Sequence, residues 1–291
     1  MNKRVLIEPV QQTIWQWPAV VNLICGGTAC GYCLLSLIAQ RSDGSGTCLA
    51  SMVAPALVLI GFGAVAVESG RPSAARYLLH HLRTSWMSRE VLAGSFFIFF
   101  CTLDAFSPRP ALKLLSALSA GGLLFAQSMM VKRCKAVSAW DRNLNLFHFL
   151  ASGIYMGFGL LLLLHGLSNQ VLKPLILEIG LLASIVSLAA WHRMVLRAGD
   201  GGSLPQALEP LHDARPLTFT MGMAHIVPTV ILLVLLLATV FDVDFKLLQG
   251  ICIVTGIFIL IGGSAQKHDI ILKANLLREL TAEHCSIRLS I

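Results

Sequence analysis

Apolar residues fill this chain in long unbroken runs, and polar residues are confined to the gaps between them. Eight runs stand out, at about 14–39, 47–67, 86–107, 112–132, 145–166, 172–195, 219–241 and 246–265. Each is near the length that crosses about 30 Å of hydrocarbon at about 1.5 Å per residue. None alternates apolar and polar positions as a membrane barrel strand does. Backbone amides in lipid must be satisfied within the segment, so the runs predict helices. The expectation is an all-α, polytopic membrane protein. It has eight transmembrane helices in a single membrane domain and a cytoplasmic tail over 266–291.

Composition agrees with that reading. The chain has 291 residues, 56% hydrophobic and 13% charged, more apolar than a soluble domain needs. The net charge of +7 is therefore no nucleic-acid signal; it belongs to the loops. Eight helices put both termini and loops 2, 4 and 6 on one side. That side holds 17 Lys and Arg residues against 5 on the other. The bias predicts both termini in the cytoplasm, with the chain in a bacterial inner membrane. MNKRVLIEPVQQT precedes the first run without a signal-peptide core, so no cleavage is expected.

The densest polar stretch is Glu68 to Gly94, ESGRPSAARYLLHHLRTSWMSREVLAG, between the second and third runs. Two carboxylates, four arginines and two histidines at a membrane edge must be solvated, paired or in use. Arg71–Pro72 marks an irregular turn, and Thr84 or Ser85 can cap the next helix. Glu68 ends one helix and Glu90 begins the next. A hairpin here brings both to one pocket at the water–lipid boundary, beside Arg83, Trp86 and Arg89.

ESGRP followed by RTSWMSRE resembles the loop between helices two and three of the DmsC-type membrane anchors, within the wider NrfD-like group. Weaker echoes lie at Trp17–Pro18 and Ala139–Trp140, and the topological likeness spans the chain. Dimethyl sulfoxide reductase anchors usually carry histidine where this chain has Glu68, in a pattern like H-L-G-x-P. The glutamate form looks more like the anchors of sulfite-oxidising and phenylacetyl-CoA-oxidising complexes. The resemblance implies a subunit anchoring an iron–sulfur subunit and a molybdopterin catalytic subunit, and passing electrons to or from quinone or quinol. Under it, Glu68, Arg83, Trp86, Arg89 and Glu90 are the expected quinone-binding residues. Asn22, about one turn inside the first helix, is added as a partner for a quinone carbonyl. Its other reading is an interhelical hydrogen bond.

Other chemistry finds less support. The histidines form no evident pair at one depth on neighbouring helices, so no haem is expected. The eight cysteines mostly fall inside apolar runs, and Cys30 and Cys33, three apart on one helix face, read as packing, so no metal is expected either. No Ser–His–Asp order, H-E-x-x-H or phosphate loop occurs, and the chain itself reads as non-catalytic. A proton-coupled secondary transporter is the alternative, although no inverted repeat of broken helices is visible. Loop 6, about 196–218, reads as a docking surface. The tail from Lys267 onward reads as lying along the membrane or a partner.

Overall fold

The computed structural model describes residues 5–8, 10–40, 48–68, 70, 75–168, 174–196, 221–241, 245–278 and 280–281. Its long helices are α1 (Trp17–Gln40), α2 (Cys48–Glu68), α3 (Trp86–Phe106) and α4 (Pro110–Lys132). They are followed by α5 (Asn143–Leu167), α6 (Pro174–Leu196), α7 (Val227–Val240) and α8 (Phe245–His268). π-helical turns precede α7 (Gly222–Ile226) and follow α8 (Asp269–Lys273). Five segments are long and apolar enough to cross a membrane: Trp17–Ala39, Pro110–Lys132, Asn143–Leu167, Pro174–Val195 and Leu248–Lys273. Two shorter apolar helices lie at Met52–Glu68 and Gly222–Ala238. α3 is less apolar because it carries Arg89, Glu90 and Asp104. The chain is thus a helical, multi-pass membrane protein, with five spans defined by length and composition among the described residues; the sequence predicts eight.

α1 is the axis of the bundle and packs on α2, α4 and α5. Its glycines explain why. A Cβ on Gly31 would strike the backbone of Gly153 and Ile154, and one on Gly157 would strike the backbone of Gly31 and Tyr32. The four-residue spacing of Gly27 and Gly31 on α1, and of Gly153 and Gly157 on α5, lets the two backbones touch. Apolar side chains from all eight helices then fill the interior around Ala29, Phe97, Leu123, Phe158 and Ile259.

One end of the bundle carries a cap made from both ends of the chain. β1 (Val5–Ile7) pairs antiparallel with β2 (Leu280–Thr281). Single bridges join Gln11 to Leu276 and Val137 to Leu277. Trp140 is buried, donates Nε1–H to the Ile270 carbonyl at 2.9 Å and meets the Trp15 ring. Asp141 accepts from Arg278 at 2.9 Å. The turn at Trp140 and Asp141 thus holds the segment that follows α8. That segment, expected to lie along the membrane or a partner, folds back on its own chain. Its Leu276 and Leu277 find apolar cover there. The Arg71–Pro72 turn, loop 6 from 197 and the tail beyond 281 lie outside the described residues.

Candidate functional site

The site begins with the cap of α3. Ser85 is extended, and its hydroxyl accepts from the Ser88 amide at 3.4 Å, which starts the helix at Trp86. Glu90 follows just over one turn later. By then the helix has entered the bundle, and Glu90 is 3% exposed. A lone carboxylate so placed is costly unless hydrogen bonds reach it. Two do, from two other helices. Asn22 Nδ2 on α1 donates to Glu90 Oε1 at 2.7 Å, and Gln127 Nε2 on α4 donates to the same oxygen at 3.0 Å. Gln127 also reaches the Asn22 carbonyl at 3.2 Å, closing a three-residue ring. Glycines make the room. A Cβ on Gly26 would overlap the Gln127 amide, and one on Gly61 would come within 2.9 Å of Asn22 Oδ1.

Arg89 lies beside Glu90 in sequence but on a different face. Its Nε donates to the Leu82 carbonyl at 2.9 Å and its Nη2 to the Arg83 carbonyl at 2.8 Å. Its guanidinium sits 4.2 Å from the centroid of the Trp86 ring. Trp86 in turn meets Phe125 of α4 edge-on, at 5.7 Å between centroids. Arg89 therefore braces the loop end, where the sequence predicted a partner for Glu68, Glu90 or a quinone oxygen. Arg83 is exposed, and its backbone rather than its side chain makes this contact.

Of the six predicted residues, the structure brings Asn22 and Glu90 together, and separately Trp86, Arg89 and the Arg83 carbonyl. Glu68 is exposed at the end of α2 and has no ion pair or hydrogen bond among the described residues. The two carboxylates predicted to share a pocket thus differ in burial, Glu90 being buried and Glu68 exposed. Gln127 of α4, the third member of the ring, is not among the predicted residues. An uncharged amide inside a long apolar run was the available signal. No group of three or more His, Cys, Asp or Glu residues able to hold a metal occurs among the described residues.

Arg89→Ala removes two bonds to loop carbonyls and the stack on Trp86. It is expected to destabilise the loop by about 1–3 kcal/mol, each charged hydrogen bond being worth roughly that much. Proteolysis between Leu78 and Ser85 should accelerate in detergent; an unchanged cleavage rate would argue against bracing. Cys134, just past α4, is half-buried, and burial pushes its thiol up to about 11. Maleimide labelling of this residue should stay slow near neutral pH and rise only as pH approaches that value, since the thiolate is the nucleophile.

The bundle of apolar helices thus encloses a carboxylate held by amides from two neighbouring helices. One known family matches part of the chain. Residues 5–107, about a third of the chain, match the family model described as "Polysulphide reductase, NrfD". Members of that family are membrane anchors of molybdoenzyme complexes linked to quinone, assembled with iron–sulfur and molybdopterin subunits. The matched stretch contains Asn22, Glu68, Arg83, Trp86, Arg89 and Glu90, while Gln127 lies beyond it. No curated protein matches the chain.

Proposed function

We propose that this chain is the quinone-binding anchor of a membrane oxidoreductase complex of the DmsC type. It links an iron–sulfur subunit, and through it a molybdopterin catalytic subunit, to the quinone pool. The observation that carries the reading is the Asn22–Glu90–Gln127 ring, two of whose members, Asn22 and Glu90, lie inside the family match. The donor set fits the substrate. A quinone headgroup needs hydrogen-bond donors at its carbonyls and a group that exchanges protons as it changes redox state. Amides from Asn22 and Gln127 supply the former type of group, and the Glu90 carboxyl the latter. Trp86 and Phe125 offer an aromatic wall at the loop end. Glu68, exposed at the same end of the helices, is suited to exchanging protons with water.

The glutamate at position 68 favours the sulfite-dehydrogenase or phenylacetyl-CoA-oxidising type over the dimethyl sulfoxide type. In this reading the eight helices all cross the bacterial inner membrane and both termini are cytoplasmic, where the iron–sulfur subunit docks on the side of the Glu68–Gly94 loop. The proton-coupled transporter remains the second class of function, and co-purification separates the two. An anchor brings iron–sulfur and molybdopterin subunits with it in stoichiometric amounts; a carrier purifies alone.

Binding is tested with a hydroxyquinoline N-oxide quinone analogue, whose fluorescence is quenched on binding, titrated into the purified complex. Gln127→Leu should weaken it about tenfold or more, since one good hydrogen bond in a desolvated site is worth about 1–3 kcal/mol. Unchanged affinity in both Gln127→Leu and Asn22→Leu would remove the ring from the quinone site. Orientation is tested by impermeant maleimide on sealed, right-side-out cells carrying Lys135→Cys, an exposed position. Labelling is expected only after the membrane is opened. Labelling of sealed cells would place this loop, and the proposed docking side, outside.

A further inference from the structure

A second group of buried polar side chains lies across α1 from Glu90, entirely outside the family match. His148 on α5 is 0% exposed, and neither ring nitrogen has a hydrogen-bond partner among the described residues. Its ring packs against Trp191 of α6, at 5.4 Å between centroids. His225 on the π-helical turn before α7 is equally buried, and its Nε2 lies 2.9 Å from Gln266 Nε2 of α8. The other His225 nitrogen and the Gln266 oxygen are unpartnered. Lys267, 1% exposed, donates to the Leu23 carbonyl of α1 at 2.7 Å, and its ammonium lies 6.0 Å from the centroid of the Phe149 ring. Tyr155, about two turns along α5 from His148, stacks on the His225 ring at 5.4 Å between centroids, and Phe149 next to His148 is the ring that Lys267 approaches, so the three groups share one interior.

So many unsatisfied donors and acceptors in one interior call for bridging water or another polar species. The local backbone points the same way. Both π-helical turns flank this group, one carrying His225 and the other beginning two residues after Lys267. Such turns concentrate at functional sites. The second turn also leads to the surface. Asp269 accepts from His268 at 2.9 Å and from Lys273 at 2.8 Å, and the latter two are partly exposed. On the inner side only α1 intervenes. Asn22 and Gly26 face the Glu90 ring, while their neighbours Leu23 and Gly27 face Lys267.

We propose that His148, His225, Gln266 and Lys267 form a second proton-bearing site, a water-bridged store fed from the His268–Asp269–Lys273 surface. The inference rests on the quinone reading above. Reduction of a quinone to quinol takes two electrons, from the iron–sulfur partner, and two protons. The Glu90 carboxyl delivers one proton, and the store delivers the other across the α1 wall. Both are then replaced from water. Oxidation of quinol runs the same transfers backwards. Lys267 and the histidines are positioning and proton-holding groups in this scheme; they do not touch the quinone.

The test uses membranes containing the complete complex and the variants His148→Gln, His225→Gln and Lys267→Gln, which keep hydrogen bonding but cannot titrate in the same range. Electron transfer to an artificial dye reports assembly, and the hydroxyquinoline N-oxide reports the quinone site. Both should stay within about twofold of wild type. Quinone-linked turnover should fall about tenfold or more, the lower end of the usual contribution of a positioned proton donor or acceptor. The loss should vary with pH and be partly relieved by added imidazole. His148→Gln is the cleanest variant, because it breaks no hydrogen bond within the protein. Normal quinone turnover in all three variants at every pH overturns the proposal. So does loss of dye-linked activity in all three, which makes the group a structural clamp. Glu90→Gln, run alongside, separates the two ideas. If it abolishes quinone turnover while these variants are normal, only the second site fails; if Glu90→Gln is itself normal, the quinone reading fails and takes this inference with it.

Discussion

Glu90→Gln is expected to lower quinone-linked turnover by roughly a hundredfold while the complex still assembles and reduces artificial dyes. A positioned acid or base contributes on the order of 10²–10⁴ in rate, and glutamine cannot fill that role. The substitution is otherwise mild. The side-chain length is unchanged, and the amide oxygen can still accept from Asn22 Nδ2 and Gln127 Nε2, now at 2.7 and 3.0 Å. The buried charge is removed, so the fold should be no less stable, because an ionised group in the interior is costly even when hydrogen bonded. Removing a donor is the harsher change. Asn22→Ala or Gln127→Ala leaves the carboxylate with one amide in place of two and should cost about 1–3 kcal/mol. Quinone turnover of Glu90→Gln within a factor of two of wild type across pH would reject Glu90 as the proton-exchanging group. Glu68→Gln is the comparison. Because Glu68 is exposed and makes no ion pair among the described residues, its effect should be several-fold smaller.

The contrast between these two glutamates shows what the sequence could and could not reveal. Unbroken apolar runs announce helices regardless of their partners, since lipid leaves the backbone no other choice. The helical class and the polar loop were therefore legible directly. The Ser85 cap was legible as well, because capping depends on neighbouring residues alone. Depth was harder. Glu68 and Glu90 both sit at helix ends in the sequence, yet only Glu90 is enclosed, because α1 and α4 extend past it and offer Asn22 and Gln127. That outcome depends on packing between helices 68 and 37 residues away in sequence.

Lys267 was misread for a related reason. It follows an apolar run and precedes a charged stretch, so it looks like the first residue of a surface tail. In the structure α8 continues to His268, and Lys267 turns inward to the Leu23 carbonyl. Gly27 makes this possible, since a Cβ there would overlap the lysine ammonium. His148 and His225 likewise belong to separate apolar runs and form no evident pair in the sequence. Only the crossing of α5, α8 and the π-helical turn brings them to one interior. Arg89 shows the converse. Its charge suggested a ligand, but carbonyls at the end of its own loop are nearer and take its donors.

The glycine contact between α1 and α5 carries the other large expected effect. Gly157→Ala places a methyl group against the backbone of Gly31 and Tyr32. A flexible side chain could move aside, but two packed helix backbones cannot do so without separating along their length. Overpacking of well-fitted interiors typically costs about 1–3 kcal/mol, and a backbone contact belongs at the upper end of that range. The damage should also reach both polar groups, because α1 carries Asn22 on one side and Leu23 on the other. Gly121→Ala is the control: it lies on α4, yet nothing stands within 4 Å of the new methyl group. It should be neutral or slightly stabilising, as alanine favours helix over glycine by up to about 1 kcal/mol. Thermal unfolding in detergent, followed by size-exclusion chromatography of the heated complex, reads the difference. Gly157→Ala should lose its monodisperse peak several degrees below wild type and Gly121→Ala should not. Equal melting of the two variants would mean that α1 and α5 are not in backbone contact, and the wall between the two polar groups would have to be drawn elsewhere.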